Sequence, residues 1–446
     1  MSVILPEADA KALLQKALTY SKADECEVHL EGEEWSNIRY ALNKVSTCGS
    51  KVYKTLSVQS AYGKKVGVAT IDELDDASLE KVVRRSEEIA RLAPENPEYM
   101  GVLGPQKYVP ASGFFDATAT LSAEARAKAV GQSIQIARSE KQTVAGYLED
   151  RVSYSAMMNT KGLFAYYPST KVNFSATIRT ENGTGSGFSA QGVSDFPKLN
   201  TASATQIALQ KALGSVGARA IEPGKYTVIL EPLAAAVLLE HLFRSLDARS
   251  ADEGRSFLSK PGGKTKLGEQ LMDERVTIYS DPTNPELPAS PWAADGRAQE
   301  KINWIEKGVV KNLSYSRYWA QKKGVKAVPA PTNVMMVGGT ASLDELIKST
   351  QRGILVTKFW YIRSVDPQSL LVTGLTRDGT FYIENGKIKH PVKNFRFNES
   401  PVIMLNNLET LGKVERVVST EGSFTNYLIP AMKIREFTFT SLSDAV

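Results

Sequence analysis

Leu56-Ser-Val-Gln-Ser-Ala-Tyr62-Gly-Lys-Lys-Val66-Gly-Val-Ala-Thr-Ile71 is the stretch on which the fold turns. Leu56, Val58, Ser60 and Tyr62 alternate with more polar neighbours, the period of a half-buried strand. Gly63-Lys64-Lys65 supplies a turn, and Val66 to Ile71 runs back. Two adjacent strands joined by so few residues must be antiparallel, because a parallel pair needs a long crossover. An antiparallel sheet is therefore the frame of the N-terminal part.

Helices flank this hairpin. Upstream, Ala10, Leu13, Leu14, Ala17 and Leu18 fall on one helical face, and Glu25 to Leu30 then alternates as a strand. Downstream, Leu79, Val82, Val83, Ile89, Ala90 and Ala93 share a face, with Asp76 or Ser78 as the cap and Pro94 and Pro97 as the stop. Glu95 to Gly113, with Pro105 and Pro110, reads as a connector. A similar order of elements then recurs. A helix is predicted from Ser122 to Arg138, strands at 143–148, 152–158, 163–167 and 172–180, and a helix over 201–213.

Near Pro223 the character changes. Tyr226 to Leu230 is a short buried-type strand that leads into the apolar helix Leu233 to Leu246. Beyond Arg275 the chain is mostly strand and turn, with strands predicted at 276–279, 353–362, 380–383 and 387–390. A helix is predicted at 343–349. Asn385-Gly386 marks a type I′ hairpin. The expected class is α+β: N-terminal antiparallel sheet packed with helices, and a C-terminal β-rich barrel- or sandwich-like domain with one apolar helix. The expected domains are 1–94, 113–220 and 223–446. Two or three domains suit a chain of 446 residues.

Composition narrows the function. The chain is 42% hydrophobic and 23% charged, as soluble globular proteins are, and its net charge of +5 is mild for this length. Lys64-Lys65, Arg84-Arg85 and Lys322-Lys323 are isolated pairs without a basic stripe, which argues against nucleic-acid binding. Cys26 and Cys48 do not make a disulfide framework. No charged-then-apolar leader is evident at Met1-Ser-Val-Ile-Leu-Pro6, and no apolar run is long enough for a bilayer, so a cytoplasmic protein is expected.

Phosphate loops and hydrolase elbows find no support. Pro261-Gly-Gly-Lys-Thr265 has Leu258 where a phosphate-binding loop needs its first glycine. Gly183-Thr-Gly-Ser-Gly187 lacks the helix of a dinucleotide fingerprint, and no Gly-x-Ser-x-Gly occurs. The three histidines, His29, His241 and His390, are scattered. On the helix Leu233 to Leu246, Glu240 and His241 are adjacent. Successive helical residues point about 100° apart, so both cannot meet one small ion. One turn beyond His241 stands Ser245, a poor zinc ligand.

Four segments together resemble the TldD/PmbA family, also called the TldD/TldE or modulator-of-gyrase family. They are the hairpin Lys51 to Ile71 with its following helix, and Val237-Leu-Leu-Glu-His241 with Gly254-Arg-Ser-Phe-Leu258. The others are Gly374-Leu-Thr-Arg-Asp-Gly379 with Tyr382-Ile-Glu-Asn-Gly-Lys-Ile-Lys-His-Pro391, and Ile429-Pro-Ala-Met-Lys-Ile434. The resemblance runs over nearly the whole chain. It implies metallopeptidase chemistry, in which zinc held by His-Glu-x-x-x-His and a C-terminal Cys activates water for peptide hydrolysis. In this chain the three motif positions carry Glu240, His241 and Ser245, and the Cys position falls near Val418. Every ligand position departs from the pattern.

That departure is similar to the TldE/PmbA branch. It implies a non-catalytic subunit without its own metal or cofactor, acting on unfolded or small peptides beside a TldD-like catalytic subunit that carries the zinc. Two other readings stand beside it. One is an independent metallopeptidase with a site rebuilt from Glu240, His241 and His390. The other is a self-associating, homodimeric peptide-binding scaffold without protease activity.

Overall fold

The computed structural model describes residues 4–419 and 425–443. Met1 to Val3 of the opening stretch, and the outermost residues of the first and last expected domains, lie outside them.

The first half runs α1 (Glu7–Thr19), β1 (Glu25–Ala41), β2 (Lys44–Tyr62), β3 (Lys65–Ile71), α2 (Asp76–Leu92), a one-turn α3 (Asp116–Ala119), α4 (Ala123–Ser139), β4 (Thr143–Asn159), β5 (Phe164–Arg179), β6 (Ser186–Val193) and α5 (Thr201–Gly214). The hairpin predicted at Gly63 is β2–β3, paired from Leu56↔Ile71 to Tyr62↔Lys65. All six strands join one antiparallel sheet in the order β3-β2-β1-β4-β5-β6. The sheet runs without interruption from the first segment into the second, through β1 and β4.

The repeated order of elements noted in the sequence becomes a pseudo-two-fold arrangement about the β1–β4 pair. Gly32 lies opposite Tyr154, and Tyr40 opposite Gly146. Each tyrosine ring covers the glycine across from it, where a Cβ would collide with the ring. The outer strands repeat the device. A Cβ on Gly67 of β3 would overlap backbone atoms of Ser86 and Ala90 in α2, and one on Gly187 of β6 would overlap those of Ala208 and Ala212 in α5. Both helices thus sit directly on a strand backbone.

Some local expectations need correction. The predicted breaks at 149–151 and 168–171 are not breaks, because β4 and β5 run through them. The charges at Glu149, Asp150 and Arg151 look like a turn in the sequence but are buried or paired in the sheet. Asp150 meets Arg126 of α4, and Glu149 accepts from Trp35 Nε1 at 2.9 Å and Asn173 Nδ2 at 2.8 Å. The cap of α2 is Asp75, which accepts from the Ser78 amide at 3.1 Å; Asp76 and Ser78 are inside the helix.

The second half runs β7 (Gly224–Leu230), α6 (Pro232–Arg244), α7 (Ala248–Asp252), β8 (Ser259–Lys260), β9 (Lys264–Thr265), β10 (Ile278–Ser280), β11 (Ile302–Glu306), β12 (Val309–Val310), α8 (Arg317–Lys323), β13 (Met335–Met336), α9 (Leu343–Lys348), β14 (Arg352–Val356), β15 (Phe359–Asp366), β16 (Leu371–Thr376), β17 (Thr380–Glu384), β18 (Lys387–Pro391), β19 (Phe395–Glu399), α10 (Pro401–Asn406), β20 (Leu408–Ser419) and β21 (Thr425–Leu442). Asn385 and Gly386 both have positive φ, as the predicted type I′ hairpin between β17 and β18 requires.

Among the described residues the sheet has thirteen strands and is mixed. Its spine is β21, which pairs with β20, β19, β7 and β13, while β7 continues in parallel to β14. It is an open sheet with edges at β12 and β18, and the barrel expectation is corrected accordingly. Four strands pair with β21, so the sheet branches at that strand instead of continuing as the single ring of neighbours that a barrel needs. Helix α6 packs into the main core of this half, with Ala234 to Leu239 all buried.

Candidate functional site

Pro232 opens α6 at a position where its missing amide costs nothing, and Ala and Leu then drive the helix into the core. The helix ends earlier than predicted. Arg244 is its last residue and Ser245 is the C-cap, whose hydroxyl donates back to the His241 carbonyl at 2.8 Å. Ser245 is thereby committed to the backbone.

Glu240 is 5% exposed and sits at the apolar helix's last buried turn. A carboxylate there is costly unless it is paired and hydrogen-bonded. Both conditions are met. Arg244, four residues on, pairs with Glu240 Oε1, and Ser419 Oγ at the end of β20 donates to Oε2 at 3.0 Å. Tyr427 of β21 lies beside the same carboxylate; burial, reinforced by the Glu240 charge, pushes its phenol well above the usual range. The Tyr427 ring packs on Phe243, with centroids 5.7 Å apart. His241 points elsewhere on the helix. Burial, and Arg244 after it, lowers its pKa, so the ring is neutral at pH 7.

The other histidines stand apart from this cluster. His29 Nε2 meets Glu27 Oε1 at 3.0 Å on β1. His390 on β18 stacks on Tyr382 at 5.2 Å and its Nδ1 lies 3.0 Å from the Pro391 carbonyl. Val418 is fully buried and holds no thiol. Among the described residues, no three His, Cys, Asp or Glu side chains are grouped to hold a metal ion.

These residues do not fit zinc. The carboxylate of Glu240 is occupied by a guanidinium and a hydroxyl, His241 diverges from it, and Ser245 is turned to the backbone. Zinc needs three or four convergent N, S or O donors. What the cluster does chemically is neutralise one buried carboxylate and tie α6 to the β20–β21 hairpin.

That hairpin also leans on the first half. Gly192 of β6 approaches Val418 and Asn426 so closely that a Cβ would overlap both side chains. Asn426 Nδ2 donates to Asn173 Oδ1 at 3.3 Å, and Arg416 Nε donates to Asn426 Oδ1 at 3.2 Å. Burial lowers the pKa of Arg416 to about 10. Two hollows of about 290 and 180 Å³ flank Arg416 between β6 and β20, sharing Gln191 and Glu415.

Of the contacting residues, Arg244 was readable as an i, i+4 partner of Glu240. Ser419 and Tyr427 carried no signal. They reach Glu240 across 179 and more residues of chain, through strand pairing that no local pattern announces.

Residues 26–90 match the model of PmbA/TldA metallopeptidase domain 1, 116–222 the central domain and 223–441 the C-terminal domain. The chain belongs to the PmbA/TldD family. Among its relatives, the metalloprotease PmbA of Escherichia coli O157:H7 is 22% identical over 453 residues, covering 97% of this chain and 96% of the relative. A metalloprotease of Methanothermobacter thermautotrophicus is 26% identical over 288 residues, 59% of this chain and 61% of that protein. The crystal structure of TldE from Thermococcus kodakarensis superposes with a TM-score of 0.86 at 19% identity, covering 96% and 99% of the two chains. A putative modulator of DNA gyrase from Thermotoga maritima gives 0.85 at 19% identity, covering 96% and 100%. At these identities the two structures establish a shared PmbA/TldD fold. Among the described residues, no helix is long and apolar enough to cross a membrane.

Proposed function

We propose that this chain is the non-catalytic, TldE-like subunit of a heteromeric zinc protease that acts on unfolded or small peptides in the cytoplasm. Its partner is a TldD-like subunit that carries His-Glu-x-x-x-His and holds the zinc. The observation that supports this reading is the Glu240–Arg244–Ser419 cluster: at the positions that the resemblance assigns to the motif, the one carboxylate is engaged by a guanidinium and a hydroxyl. Membership of a metallopeptidase family supports the process, and the donor set argues against hydrolysis by this chain alone.

The test is co-purification with the motif-bearing relative from the same genome, followed by metal analysis and a peptidase assay on unstructured peptides. The pair is expected to cleave and to stop with chelator, while this chain alone holds no stoichiometric zinc and cleaves nothing. Chelator-sensitive cleavage by the isolated chain would overturn the proposal.

A further inference from the structure

Tyr361 has φ +57°, a left-handed conformation that bulky side chains rarely adopt. It lies on β15, which pairs with β16 along one side and is an edge among the described strands. The ladder slips at this point: Trp360 is opposite Leu375, but Arg363 is opposite Thr373. The bulge turns two aromatic rings outward. Trp360 is 37% exposed, Tyr361 53% and Val365 53%, and the two ring centroids are 5.5 Å apart.

Cations frame the rings. The Arg377 guanidinium lies 4.2 Å from the Trp360 ring centre, and that of Arg363 lies 3.9 Å from Tyr361. Arg396 of β19 is exposed and lies opposite Leu375, in the same cross-strand row as Trp360. No Asp or Glu occurs in 359–365, 371–377 or 394–398; Asp378, beside Arg377, is buried and held by Lys358 and Ser186. The shelf is thus aromatic and basic.

Trp, Tyr and Arg are the residues that dominate binding energy at protein interfaces, and edge aromatics left in water mark such sites. The bulge disfavours addition of another strand, so contact runs through side chains. A second copy of this chain is the poorer occupant. A two-fold contact would set this patch against itself, arginine against arginine.

We propose that the Trp360–Tyr361 shelf is the docking surface for a second, non-identical protein subunit that presents carboxylates around an apolar recess. This assignment rests on the reading above, in which that subunit is the motif-bearing relative.

The experiment measures the dissociation constant of the purified full-length chain with that relative, by calorimetry and sedimentation. Trp360→Ala and Arg377→Glu are compared with wild type, and Lys413→Glu on β20 serves as a surface control. Each shelf variant is expected to weaken the complex by about 30-fold or more, with melting temperature unchanged. Lys413→Glu is expected to stay within about twofold of wild type. Rising salt is expected to weaken the wild-type complex more than the Arg377→Glu complex. Equal affinity of both shelf variants and wild type overturns this assignment and leaves the subunit reading standing. A wild-type chain that does not bind the relative at all overturns both. A homodimer dispersed by Trp360→Ala overturns the choice of occupant.

Discussion

Helix α5 lies on one face of the six-stranded sheet, whereas α6 is enclosed by β7, β15, β20, β21 and α10. The first keeps Ile207 and Leu213 in water and brings Ala208 and Ala212 onto Gly187. The second buries Ala234 to Leu239 completely and carries a carboxylate with it. A helix on a sheet can shed polar groups to solvent, so its constraint is steric. An enclosed helix has no such outlet, so its constraint is electrostatic. Helix α2 combines both constraints: it is seated on Gly67 and also buries a carboxylate, Glu87, which Arg84 and the Lys22 amide hold.

The contrast can be broken most severely at the glycines. Gly187→Val and Gly67→Val place side chains into helix backbone, which cannot yield as a flexible side chain can. Each is expected to cost about 3 kcal/mol or more, read as a lower urea midpoint or as loss of soluble protein. Because the two sites are related by the pseudo-two-fold, similar losses are expected at both. A tolerated Gly187→Val would show that α5 is free to lift from β6.

At α6 the corresponding probe is Arg244→Ala. It leaves the buried Glu240 carboxylate with the Ser419 and Tyr427 hydroxyls as hydrogen-bond donors. Since the arginine itself is largely exposed, the expected loss is about 1–2 kcal/mol, below that of the glycine variants. Glu240→Gln in the Arg244→Ala background is expected to recover part of it, because an amide needs no counter-charge. No recovery in urea melts would mean that Arg244 acts by packing.

A smaller effect should appear with pH. His241 has a lowered pKa in the folded state, so the unfolded chain binds its proton more readily. The neutral ring's contribution to stability is therefore complete above the ordinary value of 6.5 and is lost as pH falls through the folded value. Stability measured from pH 8 down to pH 5 is expected to decline less steeply in His241→Gln than in wild type. An identical slope would remove His241 from the account.

The smallest effect should come from α4. Gly131 is exposed in mid-helix and an added Cβ there meets nothing within 4 Å. Gly131→Ala is expected to stabilise by about 0.5–1 kcal/mol, the opposite sign to Gly187→Val. A destabilised Gly131→Ala would mean that the glycine serves a contact on that face.

Local chemistry was legible without coordinates. The Leu56–Ile71 hairpin, the helix from Ala10 to Leu18, the Ser122 cap and the Asn385-Gly386 turn each depend on residues a few positions apart. The motif positions follow from the family resemblance; of these, Glu240 and His241 lie on α6 and Ser245 is its C-cap. The continuity of β4 through Glu149-Asp-Arg was not legible, because the partners that make those charges tolerable come from β1, β5 and α4.

The amino-acid sequence by itself determined which stretches form helices and where the hairpins turn, because backbone preference and side-chain period act over one or two turns. Only the tertiary structure decided that the first two segments share one sheet, that the second half stays open, and that Ser419 and Tyr427 close on Glu240. Those outcomes depend on strand pairing across a hundred residues or more. There, the requirement to satisfy buried charges and backbone groups selects the partner.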